Sequence, residues 1–381
     1  MKSTNKNILV IAGEASGDLH GSALIGELKK IDSSINVFGI GGDKMKDSGM
    51  NVLYSIDKLA FLGFTEVIKH IPFIKKVQRE ILRLVKEKEI KNAVLIDYPG
   101  FNLSLAKKLK ESGLYIFYYI SPQIWAWGAG RIKKIKSLIN KMIVVFPFEE
   151  ELYRKNKVDV EFVGHPLLDR INEYDLFSRD EFFNKFNLEL TKDILLIFPG
   201  SRENEITQIF PIAIKAAEKL TNEFNLQTIV ACADNIDINI FNKLGKNHNY
   251  KIIKGFNYDL MNLAKIGIIK SGTSTLEAGL FSLPMVIVYK TGLLTYLIGK
   301  KLIKLDTIGM ANIIAGERIV PELIQKKVNI KNICLECKII LSDNELYSSI
   351  KSRLSLLKEK LGQLGASRKA AQIIYRSFNE I

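Results

Sequence analysis

The sequence is poor in the residues that build disulfide frameworks and metal sites, with three cysteines and four histidines in 381 residues. Three thiols cannot staple a chain of this length, and such sparing use suits a reducing compartment. Cys334 and Cys337 do have C-x-x-C spacing, but they fall in a helix-like stretch with no second ligand pair and no preceding redox-type strand, which disfavours a redox or metal role. Long apolar runs are also missing. No stretch reaches the roughly 18–20 apolar residues needed to cross a bilayer, so membrane contact is expected to be peripheral. The apolar run at 8–12 is too short for a signal-peptide core and leads into Gly13-Glu14 rather than a cleavage site. It reads as a buried first strand. No G-x-G-x-x-G follows it, and Glu14 and Asp18 would repel a pyrophosphate, which disfavours a dinucleotide fold.

What is present is globular: 47% hydrophobic and 25% charged residues, over a length that exceeds one ordinary core and so calls for two domains. Lysine and arginine outnumber acidic residues 55 to 41, a net charge of +14 that favours a polyanion. Nucleic acid, a nucleotide diphosphate and an anionic membrane surface all qualify, and a solvated basic face accounts for part of the excess.

Continuous apolar runs at 8–12, 37–40, 93–96, 115–120 and 142–146 look like strands buried on both faces, as in a parallel sheet. Helix-length segments separate them at 22–31, 74–88, 103–111 and 131–138. The rhythm breaks at 164–178, around Pro166, and a second series starts with runs at 194–198, 228–231, 251–253, 267–269 and 285–288. The predicted architecture is α/β, with two doubly wound Rossmann-like domains at 1–168 and 169–328 followed by helices at 329–381.

In such sheets ligands bind beyond the carboxyl ends of the strands, so the candidate chemistry lies in the loops there. Glu14, Ser16 and Asp18 follow the first strand. Acidic groups beside helix amides suit sugar hydroxyls, while the alternative is a helix start capped by Ser16. Asp97 follows the run at 93–96 and is held by Pro99-Gly100; it is either a general base for an attacking hydroxyl or a helix cap. Trp125 and Trp127 fall together in the next loop, as a platform for an apolar or sugar face or as a packed corner. In the second half, Pro199-Gly-Ser201-Arg202 combines a small turn, a helix start and a guanidinium, which suits a diphosphate. Ser271-Gly272-Thr273 opens another helix, with Glu277 one turn on where a carboxylate could accept ribose hydroxyls.

Six segments in this order resemble the lipid-A-disaccharide synthase family, an inverting B-type (GT-B) glycosyltransferase family: 12–18 (Ala-Gly-Glu-Ala-Ser-Gly-Asp), 121–127 (Ser-Pro-Gln-Ile-Trp-Ala-Trp), 162–166 (Phe-Val-Gly-His-Pro), 199–202, 271–273 with Glu277, and 312–316 (Asn-Ile-Ile-Ala-Gly). The resemblance runs from Ile8 to about Gln325, with a helical tail beyond. It implies that the last helices return to the first domain. It also implies Asp97 as catalytic base, with Gly100 where an acidic residue is common in the family, and it implies functional roles for Arg202 and Asn312.

The implied reaction transfers a diacylglucosamine from UDP to the 6-hydroxyl of diacylglucosamine 1-phosphate, with inversion and without metal or other cofactor. Ser201, Arg202, Gly272, Thr273, Glu277 and Asn312 would hold the nucleotide-sugar, and Glu14, Ser16, Asp18 and Trp125 the acceptor or sugar. His165 either touches the nucleotide or is satisfied within the linker. Lipid substrates place the chain at the cytoplasmic face of the inner membrane, reached through the mixed apolar and basic segments 60–76 or 291–304. The competing readings are another lipid-acceptor transferase or a UDP-sugar epimerase of the same architecture, and a non-catalytic basic binder. No nucleic-acid partner is expected, since no recognisable binding fold or unbroken basic face is found. The oligomeric state, a homodimer included, stays open.

Overall fold

The computed structural model describes residues 6–58, 67–122, 124, 130–292 and 307–380. Two compact units account for them. The first runs to Asp169 and takes back the chain from Leu361; the second is Arg170–Lys360.

The first unit is built on a seven-stranded parallel sheet. Its strands are β1 (Asn7–Ala12), β2 (Asn36–Gly41), β3 (Met50–Ser55), β4 (Asn92–Ile96), β5 (Tyr115–Tyr119), β6 (Lys141–Val144) and β7 (Val160–Phe162), in the order β3-β2-β1-β4-β5-β6-β7. Every residue of β1 and β4 is buried, as their unbroken apolar runs require of strands covered on both faces. The order reverses between β1 and β4, so the carboxyl ends of these two strands form the unit's topological switch point.

The second unit repeats the plan with six parallel strands: β8 (Asp193–Phe198), β9 (Leu226–Cys232), β10 (Lys251–Lys254), β11 (Ala264–Lys270), β12 (Met285–Tyr289) and β13 (Glu322–Ile324), ordered β10-β9-β8-β11-β12-β13. Here the switch point lies between β8 and β11. The helix Glu203–Glu223 buries Ile206, Ile209, Phe210, Ala213, Ile214 and Ala217, the stripe spaced by three and four in its sequence.

The segment 329–381 divides. Its helix Ile330–Ser342 packs on the helix Glu203–Glu223 through buried Ile333, Cys334, Cys337 and Ile340, so it belongs to the second unit. Both cysteines are free thiols on this apolar face, and burial pushes the Cys337 thiol well up. Only the last helix, Ala366–Glu380, lies in the first unit, against the helix Ala15–Ile31. Asp169 receives its chain: the carboxylate accepts from Gly365 N at 2.6 Å and Ala366 N at 3.0 Å. Two free amides at a helix start thereby gain a charged partner. The expected linker at 164–178 is partly helical, over Pro166–Asn172.

Candidate active site

In the first unit the switch point brings together the loops after β1 and β4. Asp97 and Tyr98 are consecutive left-handed residues, with φ of +43° and +46°. Such conformations cost about 1–3 kcal/mol each in non-glycine residues and persist where surrounding structure fixes them. Here the Asn102 amide donates to the carbonyls of Ile96 (3.1 Å) and Asp97 (2.7 Å), and the Tyr118 hydroxyl donates to the Asp97 carbonyl as well. The Tyr98 ring lies over Gly13, where a Cβ would come within 2.2 Å of it, so only glycine at the end of β1 admits this close approach. Asp97 is not the cap of the helix Pro99–Glu111. That position belongs to Tyr98, which makes no side-chain cap bond. Gly100, in the first turn, has open space around a built Cβ, so the helix start tolerates a side chain there.

The Asp97 carboxyl is pushed up to about 6 by burial and by the Glu14 carboxylate, against a backbone hydrogen bond from Tyr98 that favours the charged form. A carboxylate poised there can accept a proton from a substrate hydroxyl near neutral pH.

Glu14 itself is exposed and is the N-cap residue of the helix Ala15–Ile31, without a side-chain cap bond. Ser16 is exposed in the first turn of that helix and is not its cap. Asp18 has a different occupation from the sugar contact expected of it. It is buried, and its two oxygens accept from the backbone amides of Gly42 (2.7 Å), Met45 (3.1 Å) and Lys44 (3.2 Å). Three of its roughly four acceptor sites are engaged at the start of the helix Asp43–Asp47. His165 is buried in the first unit, its Nδ1 accepting from Leu167 N at 3.1 Å and its ring centroid 4.9 Å from that of Phe146. Trp125 and Trp127 lie outside the described residues, as do Gln123, residues 60–66 of the segment 60–76 and residues 293–304 of the segment 291–304.

In the second unit the loops after β8 and β11 meet in the same topological position. Arg202 is the N-cap residue of the helix Glu203–Glu223, with 75% of its side chain exposed, and Ser201 is exposed beside it. Gly200 has φ +124°, and a Cβ there would lie 2.5 Å from Oε2 of Glu205, so both conformation and space require glycine. Gly272 is the N-cap residue of the helix Thr273–Leu280, with Thr273 exposed. Lys270, the last residue of β11, ties the loops together: its Nζ is 2.8 Å from Oε1 of Glu205. Glu277 is held above the usual carboxylate range by burial, against the opposing pull of Arg170.

Asn312, expected at the nucleotide, is 1% exposed, and its amide is spent inside the protein. It donates to Val320 O (2.9 Å) and Glu322 Oε1 (2.8 Å) and accepts from Ile319 N (2.9 Å) and Val320 N (3.1 Å). Glu322 in turn accepts from Gly309 N and Ile308 N, while Ser271 donates to Ile308 O and Thr275 accepts from Met310 N. Asn312 therefore fixes the backbone beside the Ser271–Thr275 loop and has no free polar atom for a ligand.

Asn102 and Lys270 fall within motifs legible in the sequence, but the sequence assigned no role to them or to Tyr118 and Glu205. Glu205 carried one usable signal, a carboxylate three residues into a helix whose start was already a candidate anion site. Among the described residues no group of three His, Cys, Asp or Glu side chains could hold a metal ion, and no helix is long and apolar enough to cross a membrane.

A model of the lipid-A-disaccharide synthetase family matches residues 8–376. The lipid-A-disaccharide synthase of Syntrophus aciditrophicus is 40% identical over 96% of both chains. That of Geobacter sulfurreducens is 39% identical over 98% of this chain and 97% of its own, and that of Coxiella burnetii 37% over 98% of both. Among solved structures, the UDP-GlcNAc 2-epimerase of Neisseria meningitidis bound to UDP-GlcNAc superposes with a TM-score of 0.67 at 13% identity, covering 98% of this chain and all of the other. The calicheamicin glycosyltransferase CalG4 superposes with a TM-score of 0.65 at 12% identity, over 98% of both chains. These two share the architecture of paired Rossmann-like domains.

Proposed function

The chain belongs to the lipid-A-disaccharide synthetase family, and from that premise we propose that it joins UDP-2,3-diacylglucosamine to 2,3-diacylglucosamine 1-phosphate. The products are the β-1,6-linked disaccharide 1-phosphate and UDP. The observation that carries the chemistry is Asp97, a carboxyl raised to about 6 at the switch point of the first sheet and fixed through its own carbonyl by Asn102 and Tyr118.

In this mechanism Asp97 takes the proton of the acceptor 6-hydroxyl as the oxygen attacks the anomeric carbon. A single displacement from the face opposite the UDP inverts that centre. Charge grows on the departing diphosphate, and the second unit supplies the groups suited to it: the Arg202 guanidinium, the Ser201 and Thr273 hydroxyls and amides, and the close backbone approach allowed by Gly272. Glu277 accepts from the ribose. A guanidinium and helix amides stabilise the leaving group without a metal ion, so the reaction is assigned as metal-independent. Glu14 raises the base and, with Ser16, faces the sugar. Trp125 keeps its proposed acceptor contact.

A lipid acceptor and a lipid donor require access from a bilayer, and the described part of the segment 60–76 supports peripheral contact with the cytoplasmic face of the inner membrane. Ile71 and Pro72 line an open groove of 550 Å³ together with Lys75, Arg79 and Lys108, a combination of apolar side chains and cations that suits anionic headgroups.

The test is incubation of purified protein with both diacylated substrates in excess chelator, with the disaccharide 1-phosphate detected by mass. Turnover only with UDP-N-acetylglucosamine and an undecaprenyl-linked acceptor would refute the substrate assignment. Loss of turnover that magnesium restores would refute the metal-free mechanism.

A further inference from the structure

Two cations and a backbone amide converge on one carboxylate at the switch point of the second sheet. Oε1 of Glu205 lies 2.8 Å from Lys270 Nζ and 3.8 Å from Arg202 Nη1, and Oε2 accepts from Ser201 N at 3.2 Å. A guanidinium, an ammonium and an amide at a helix start are the groups that hold a phosphate. In the free protein a side chain of the same helix occupies them.

Lys270 is not an ordinary surface lysine. Its side chain is 16% exposed, its Nζ is 5.9 Å from the Tyr289 ring centroid, and a Cβ on Gly272 would lie 3.7 Å from that nitrogen. The ammonium is thus held over the start of the helix Thr273–Leu280 while reaching the loop after β8. Arg202 and Glu205 also act electrostatically on the neighbouring Tyr289 phenol, which places all four side chains in one cluster.

We propose that Lys270 is a further binding residue for the diphosphate of the nucleotide donor, and that Glu205 keeps the phosphate seat in the free protein and yields it when the nucleotide arrives. The proposal rests on the nucleotide-binding role assigned to the second unit. Without an anion between them, Lys270 and Arg202 would repel one another and disperse. The Glu205 carboxylate holds them in place, and a diphosphate, with more charge and more acceptor oxygens, replaces it. Displacing Glu205 lowers the observed affinity for nucleotide, in the manner of an internal competitor.

The test is calorimetric titration of the full chain with UDP, and with uridine by competition, for the unsubstituted protein and for Lys270→Met, Lys270→Gln, Lys270→Arg and Glu205→Gln, with melting curves on each. Both neutral substitutions at Lys270 should weaken UDP by about tenfold or more, the scale of one charge-assisted contact, and leave uridine unchanged. Lys270→Arg should retain UDP affinity, and Glu205→Gln, which keeps an acceptor for Ser201 N but loses the charge, should tighten it. Unchanged UDP affinity in Lys270→Met and Lys270→Gln, or an equal loss for uridine, would overturn the role of Lys270. Weaker UDP binding by Glu205→Gln would overturn the role of Glu205. An unsubstituted chain that binds no UDP would bring down the nucleotide reading itself, a failure distinct from either.

Discussion

The Asn102 side-chain amide donates to the backbone carbonyl of Asp97 at 2.7 Å, from a side chain with no exposed surface. This contact does not touch the Asp97 carboxyl, yet it decides where that carboxyl can be. The peptide it holds joins two left-handed residues, and the second donor on the same oxygen is the Tyr118 hydroxyl from β5. Asn102→Ala removes two donors and leaves the Ile96 and Asp97 carbonyls short of partners. We expect stability to fall by about 1–3 kcal/mol, the range for an orphaned buried group. Turnover should fall further, by about a hundredfold, because small displacements of a reacting group are costly. UDP affinity should stay unchanged, since the residue lies in the first unit. Chemical denaturation, single-turnover kinetics and UDP titration on one preparation check all three; a loss of stability with normal turnover would make Asn102 a packing residue only.

The pH dependence follows from Glu14 and Asp97. Burial and the Glu14 carboxylate both disfavour the charged form of Asp97 and set its carboxyl at about 6. As a base it works only when ionised, so kcat/KM should decline as pH falls through that value. Glu14→Gln removes a like charge, which makes ionisation easier and lowers the Asp97 pKa. The acid limb of the profile should therefore move down in pH in this variant. A limb that stays in place, or moves up, would show that Glu14 does not act on the titrating group.

Arg202 and Asn312 look alike as sequence candidates and should behave differently. Arg202 is 75% exposed, with Glu205 as its only ion-pair partner among the described residues, so Arg202→Ala should leave the melting temperature nearly unchanged. It should weaken use of the UDP donor by about tenfold or more, as loss of a charge-assisted contact does, and affect the acceptor little. Asn312→Asp should act through stability. It replaces an amide that donates to Glu322 Oε1 at 2.8 Å with a carboxylate, and so sets two buried acceptors against each other. A loss of about 3–5 kcal/mol is expected, as for an uncompensated buried charge. Thermal unfolding of both variants separates the roles.

These contrasts show what the sequence could and could not disclose. β1, β4, β8 and β11 were legible because strands buried on both faces leave unbroken apolar runs. β3, β7 and β13 were not, because the polar residues Asn51, Glu161 and Glu322 interrupt or shorten their apolar runs; edge position alone does not decide it, since the edge strand β10 was read at 251–253. Asp97 and Arg202 could be named as candidates because each lies in the loop after a readable strand. The Glu205–Lys270 pair could not, because only the order β8-β11 brings together side chains 65 residues apart. Asp18 shows the reverse. A carboxylate near a strand end suggested a ligand, but one helical turn carried it inward to the amides at Gly42, Lys44 and Met45.

Asp97→Asn tests whether this carboxyl trades stability for reactivity. Its folded-state value of about 6 lies above the 3.8 of an unperturbed aspartate, so the folded protein binds the proton more tightly than the unfolded chain. The stability linked to that proton is fully present below the unfolded value and is lost as pH rises through about 6. Above that, the ionised carboxylate costs the fold about 3 kcal/mol. Asparagine keeps the size and an acceptor for the Tyr98 amide, but carries no charge at any of these values. The variant should therefore melt like the unsubstituted protein below about pH 4 and above it at about pH 8, the gap opening through the interval between the two pKa values. Turnover should meanwhile fall by at least about a hundredfold, as expected when a positioned base is removed. A cap residue would give neither change, since asparagine and aspartate cap helices about equally well. A variant that is inactive but no more stable at high pH would mean that the Asp97 charge is already compensated in the fold. One that is more stable and fully active would move the base elsewhere, with Glu14 the first candidate because it lies at the same switch point.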